Sequence, residues 1–98
     1  MIRFDSRKEA NRYNELVSMQ KASQIANLRL QVHFSLMGAF TTSEGVKVRG
    51  IEYIADFTYE QDGKLVIEDV KSEATRKDPV YVMKKKLMAA KGHMIKEV

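Results

Sequence analysis

Residues 53–72, YIADFTYEQDGKLVIEDVKS, hold two apolar-rich runs either side of Asp62-Gly63. Asp-Gly is a preferred pair for a two-residue hairpin turn, because both positions accept a positive φ. That turn pairs Glu60 with Leu65, Thr58 with Ile67 and Asp56 with Asp69. A three-residue turn would instead set Asp56 against Glu68, Phe57 against Ile67 and Tyr59 against Leu65; the Asp-Gly chemistry favours the first register. In both, Asp69 and Lys71 share a face, since strand residues two apart point the same way. The apolar residues before them in that row, Leu65 and Ile67, predict a buried surface that ends in charge.

Working outward, FDSRKEANRYNELVSMQ places Ala10, Tyr13, Leu16 and Val17 at helical spacing. Ser6 and Glu9 fit the S-x-x-E capping box, so a first helix is expected over about residues 6–22. NLRLQVHFSLM alternates like a half-buried strand, and VKVRGIEYIADFTYE reads as a second strand with a bulge or bend at Gly50. KLVIEDVKS returns as the third. Asp78 as cap, Pro79 in the first turn and Gly92 beyond the last turn bound a second helix at about 79–91. HMIKEV is left as a short strand, parallel to its neighbour if the helix before it is a crossover. The expected order is α-β-β-β-α-β, an α/β fold with a mixed central sheet flanked by helices, in a single domain over residues 1–98. Met37, Met83, Met88 and Met94 are read as core filler.

The 98 residues, 44% hydrophobic and 31% charged, have the composition of one globular domain. A domain of this size buries only about two-thirds of its unfolded surface and would gain from dimerising. The absence of cysteine excludes disulfides and thiolate metal sites. No apolar run approaches the roughly 20 residues that cross a bilayer, and the polar start does not resemble a signal peptide, so no membrane association is expected. Seventeen Lys and Arg against thirteen Asp and Glu give a net charge of +4. Much of the excess sits in TRKDPVYVMKKKLMAAKGHMIK, which could track a phosphate backbone or simply form a solvated helix face.

Facing aspartates lie about 5 Å apart at Cβ and destabilise a sheet unless a cation sits between them. A hard divalent ion such as Mg²⁺ suits carboxylates and brings waters and phosphate oxygens with it. Lys71 beside that pair would orient or deprotonate a metal-bound water, which is phosphodiester hydrolysis. A strand-end Asp-Lys ion pair is the plainer reading of the same residues. Glu9 serves equally as helix cap or ligand. His33 reads as a solvent-facing strand residue and His93 as a partner of the helix dipole.

IADF followed by IEDVKS resembles the PD-(D/E)XK nuclease superfamily, whose restriction-endonuclease-like core has the element order expected above. The wider pattern FDSRKEANRY, LRLQVHF, YIADFTY, VIEDVK and KKKL looks like a small phage-encoded, Holliday-junction-resolvase-like family within it. The resemblance implies a Mg²⁺- or Mn²⁺-dependent DNA endonuclease with no small-molecule cofactor. It would be selective for branched DNA, homodimeric, and active in the cytoplasm of the bacterial host. Asp56, Asp69 and Lys71 would be catalytic, with Glu9 assisting. The metal would be held by Asp56, Asp69, Glu9 and the Val70 carbonyl. Lys84 would turn toward the scissile phosphate, while Lys85, Lys86, Arg76 and Lys77 would meet solvent or the DNA backbone. Gln31 resembles a recurring glutamine of the family. Two departures stand out: Ala55 occupies the proline position, and Glu68 adds an acid able to exchange roles with Asp69. A non-catalytic nucleic-acid-binding or protein-interaction module on the same fold is the alternative.

Overall fold

The computed structural model describes residues 3, 4 and 6–98. Helix α1 (Arg7–Lys21) starts at Ser6, whose Oγ accepts the Glu9 N–H at 3.1 Å. It ends in a Schellman turn: Ser23 takes a φ of 61°, and the Gln24 N–H donates to the Met19 carbonyl at 2.9 Å. Strand β1 (Ala26–Met37) is followed by a small ribbon of β2 (Phe40–Thr41) and β3 (Lys47–Val48). Then come β4 (Ile51–Gln61), β5 (Lys64–Asp69), the one-turn helix α2 (Glu73–Arg76), α3 (Pro79–Ala90) and β6 (Ile95–Glu97). The main sheet runs β1-β4-β5-β6, antiparallel except for the parallel β5–β6 pair. The mixed α/β architecture read from the sequence is therefore present, with the ribbon and α2 inserted into it.

Asp62 and Gly63 have φ of 53° and 76°, as a two-residue primed turn requires. Glu60 faces Leu65 and Thr58 faces Ile67, which rules out the three-residue alternative. Elsewhere several boundaries differ. The third strand stops at Asp69 because Ser72 caps α2, exchanging hydrogen bonds with Thr75 in a capping box. The Asp78 side chain makes no cap bond, so Pro79 at the first turn starts α3 by its fixed φ alone. Past the last turn Gly92, at φ 86°, lets the His93 N–H donate to the Met88 carbonyl.

The core has two parts. Tyr53, Ala55, Ile67 and Ile95 pack with Tyr81 and Met88 of α3, whereas Phe57 and Tyr59 pack with Leu16 and Tyr13 of α1. Neighbouring Val66 and Ile67 of β5 go to different parts, so the two helices cover opposite faces of the sheet. Of the four methionines expected inside, only Met88 is buried; Met37, Met83 and Met94 are exposed by 37, 46 and 74%. Helix α3 buries a single stripe, Tyr81 and Met88 seven residues apart, and Met83 falls outside it. Leu65 is likewise exposed, since it borders an open hollow with Arg29, Thr58 and Glu60.

Residues of one parity in β4 change sides midway: Tyr53 and Ala55 belong to the α3 cluster, Phe57 and Tyr59 to the α1 cluster. In β1 the same change separates Leu30 from Phe34. Between them lies Gln31, a non-glycine residue with φ 52°. The regular pairs on either side, Leu30 with Phe57 and Val32 with Ala55, set Gln31 opposite Asp56. The sheet thus turns over at the row that contains the first candidate acid.

β1 and β4 are about twice as long as β5 and overshoot it, carrying the β2–β3 ribbon outward. The resulting radius of gyration is 15.7 Å, against about 13 Å for a compact domain of this length. Among the described residues no helix is long and apolar enough to cross a membrane. Gly50 breaks the strand between β3 and β4 because the chain is tight there: a Cβ would lie 2.7 Å from the Met37 carbonyl oxygen and 3.2 Å from the Ala39 nitrogen. Both obstacles are backbone. Gly50→Ala is expected to destabilise the protein by about 1–3 kcal/mol, read as a lower urea midpoint with an unchanged slope.

Candidate functional site

The regular β4–β5 ladder ends at Phe57–Glu68, and beyond it two aspartate side chains take over the pairing. Asp69 Oδ1 accepts the Asp56 N–H at 2.8 Å, and Asp56 Oδ2 accepts the Val70 N–H at 2.9 Å. A carboxylate only accepts, so each aspartate stitches the opposite strand with one oxygen and keeps the other. Asp69 is 1% exposed, and its Oδ2 is buried without a hydrogen-bond partner among the described residues. Lys71 Nζ stands 3.7 Å from that oxygen, too far for a hydrogen bond but close enough to oppose its charge. Burial pushes the Asp69 carboxyl up from its ordinary value, with the Asp56 N–H and the Lys71 ammonium only partly offsetting it.

The Lys71 ammonium also rests over the face of Tyr81, 4.4 Å from the ring centroid. The Tyr81 hydroxyl donates to Glu97 Oε2, and Lys85 Nζ pairs with Glu97 Oε1 at 3.1 Å. Glu97 is the parallel neighbour of Asp69 across β5–β6. Burial, then the bond to Glu97, raises the Tyr81 hydroxyl and keeps it a neutral donor. The Tyr81 bond holds Glu97 low, with Lys85 helping. Neither Tyr81 nor Glu97 was singled out in the sequence, because an isolated tyrosine inside a helix and a glutamate in a three-residue strand carry no motif.

Glu68, the acid beside Asp69, lies on the opposite face of the sheet. It is wholly buried on the α1 side, where Arg12 grips both its oxygens and the Tyr59 hydroxyl donates to it. Burial alone would raise its carboxyl, but Arg12 and Tyr59 outweigh burial and hold it below the ordinary range. Tyr59 is pushed up to about 12 by burial and by that bond. The sequence signal was present as an acid one residue from Asp69, hence on the other face. What it lacked was the partner, which comes from a helix 56 residues away.

Glu9 is buried, and its Oε1 accepts from Gln31 Nε2 at 3.4 Å. Its own N–H donates to Ser6 Oγ, the half of the capping box that Ser6 supplies. Glu9 thus reaches the Gln31–Asp56 row from the α1 side. Among the described residues no three His, Cys, Asp or Glu side chains form one group able to hold a metal. The pair Asp56 and Asp69, with an oxygen each to spare, matches what Mg²⁺ takes from a protein when waters and phosphate oxygens complete its shell.

Among the expected nucleic-acid contacts, Arg76, Lys77 and Lys86 are exposed and Lys84 is half-buried beside the Tyr81–Met88 stripe. Lys85 remains 40% exposed, and its ammonium also pairs with Glu97 at the sheet edge. His33 is exposed as expected and meets Glu52 at 2.6 Å. Its neighbour in expectation, His93, lies against Phe34 with ring centroids 5.3 Å apart.

A mixed four-stranded sheet with a helix on each face and an acid pair at the splayed end of its central strands is thus the class that fold and site define. The chain belongs to the DUF1064 family, described as protein of unknown function, which it matches over residues 1–98. No curated protein and no solved structure matches it.

Two outcomes follow from the electrostatics. Because the Asp69 carboxyl is higher in the folded than in the unfolded chain, its charge costs stability above the folded pKa. That cost falls away as pH drops toward the unfolded value. Asp69→Asn keeps an acceptor for the Asp56 N–H and is expected to raise Tm at pH 7–8, with the gain shrinking as pH falls through the carboxylate range. Arg12→Ala leaves Glu68 charged and buried, and is expected to cost about 3 kcal/mol in chemical denaturation, most of it recovered by adding Glu68→Gln.

Proposed function

We propose that this protein is a Mg²⁺- or Mn²⁺-dependent endonuclease that hydrolyses DNA phosphodiester bonds. The observation that carries the reading is the buried, donor-free Asp69 Oδ2, next to Asp56 and facing the Lys71 ammonium at 3.7 Å. A fold seldom leaves a charged oxygen so placed without a use for it. The resemblance of IADF and IEDVK to the PD-(D/E)XK superfamily supports the same assignment. So does the excess of basic residues.

Asp56, Asp69 and the Val70 carbonyl would hold the ion, and the Val70 N–H is already bound to Asp56. The bound ion supplies Lewis-acid stabilisation of charge on the phosphate and a more acidic water. Lys71 holds the attacking water and balances negative charge at the scissile group. Glu9 and Gln31 support the row from the α1 side. Arg76, Lys77, Lys84 and Lys86 track the backbone without reading sequence. The finer layer of this proposal is a homodimer selective for branched DNA in phage recombination, acting in the bacterial host cytoplasm.

The test is purified protein against linear, nicked, forked and four-way DNA, with Mg²⁺, Mn²⁺ or chelator. Asp69→Ala and Lys71→Ala should each lower cleavage by at least about a hundredfold while retaining salt-sensitive DNA binding. If the parent binds DNA but never cuts it, the protein is instead a non-catalytic nucleic-acid-binding module. Variants as active as the parent would refute the site.

A further inference from the structure

Among the described residues, the ammonium of Lys71 meets the Asp69 carboxylate and one neighbour that is not an acid. That neighbour is the ring face of Tyr81, 4.4 Å from ammonium to centroid. Attraction between a cation and an aromatic face depends on the π density of the ring and strengthens where water is excluded. Here the setting is dry: Tyr81 is buried and only 20% of the Lys71 side chain is exposed. The ring is also held at a fixed angle. Its hydroxyl donates to Glu97, and Glu97 is in turn held by Lys85 and by its place in β6 beside Asp69. Donation to a carboxylate leaves more electron density on the ring, which favours the cation over its face.

Resting on the nuclease reading, we propose that Tyr81 is the positioning residue for Lys71. Its ring seats the ammonium against Asp69 Oδ2, and the Glu97–Lys85 pair fixes the ring through the hydroxyl. Without the ring, a lysine just past the end of β5 would swing among rotamers. Tyr81 touches neither ion nor phosphate in this proposal and acts only through Lys71. The role assigned to Lys85 follows too: it is part of the support rather than of the DNA-binding surface.

The ring face and its hydroxyl make separable predictions. Tyr81→Leu should lower kcat about tenfold, the scale of a partly desolvated cation–π contact, with KM for DNA unchanged. Tyr81→Phe keeps the ring but loses its hydroxyl anchor and should fall between the parent and Tyr81→Leu in kcat, while Glu97→Gln, which keeps an acceptor for that hydroxyl, should stay nearer the parent. Phenylalanines carrying one, two or three fluorines at position 81 withdraw π density with little change in shape. Their kcat values should fall stepwise while Tm stays level. A flat series, or a folded Tyr81→Leu protein with parental kcat, overturns the proposal.

A second readout needs no activity. The Lys71 ε-methylene protons should be shifted upfield by the ring in NMR spectra of the parent and of Tyr81→Phe, and return to ordinary values in Tyr81→Leu. Absence of that shift in the parent overturns the seat of Lys71 even if the protein cuts DNA. Its presence in a protein that cuts no DNA leaves the seat standing and refutes the nuclease reading alone.

Discussion

The structure depends on the exchange of side-chain for backbone pairing between Asp56 and Asp69. Central strands β4 and β5 part at this point, and a parting pair of buried strands exposes N–H groups that must find acceptors. Two aspartates meet that demand reciprocally, one oxygen each. The arrangement fixes both carboxylates to backbone instead of leaving them on free rotors. It also decides which oxygens remain: Asp69 Oδ2 is left in a dry place with a lysine for company. The same bonds make the acids part of the fold's hydrogen bonding as well as of the candidate site.

Much of this was legible because short-range chemistry dictated it. The chemistry of Asp62-Gly63 favoured the register that sets Asp56 across from Asp69 over a three-residue alternative, and the hairpin adopts it. Ser6, Pro79 and Gly92 bounded the two long helices for equally local reasons. What could not be read came from contacts distant in sequence. The acidic pair Glu68-Asp69 looks ambiguous in a string of letters. It is resolved only by Arg12 arriving from α1 on one face and Lys71 on the other. Met83 is exposed because α3 turns only its Tyr81–Met88 stripe to the sheet, which the helical spacing alone does not reveal.

Gln31 is the clearest case of information absent from local pattern. Its stretch alternates faultlessly, and alternation says that Leu30 and Phe34 share a face. Across the left-handed Gln31, Leu30 instead joins the α1 part of the core and Phe34 the α3 part. A glutamine gives no hint of such a φ, which costs a non-glycine residue of order 1–2 kcal/mol. That strain sits opposite Asp56, where the sheet turns over and where Glu9 reaches in from α1. Strain that persists beside a cluster of acids is the pattern expected when geometry at a site outweighs local comfort.

The two faces of the sheet repeat one device: a strand glutamate bound by a tyrosine hydroxyl and a basic side chain from the covering helix. On the α1 side Glu68 and Arg12 are 0 and 18% exposed; on the α3 side Glu97 and Lys85 are 18 and 40% exposed. Mobile ions weaken exposed pairs far more than enclosed ones. Ionic strength therefore acts on the two halves unequally, slackening the clamp over α3 while the one over α1 stays taut. A polyanion approaching the α3 side would bring its own condensed counter-ions to the weaker clamp.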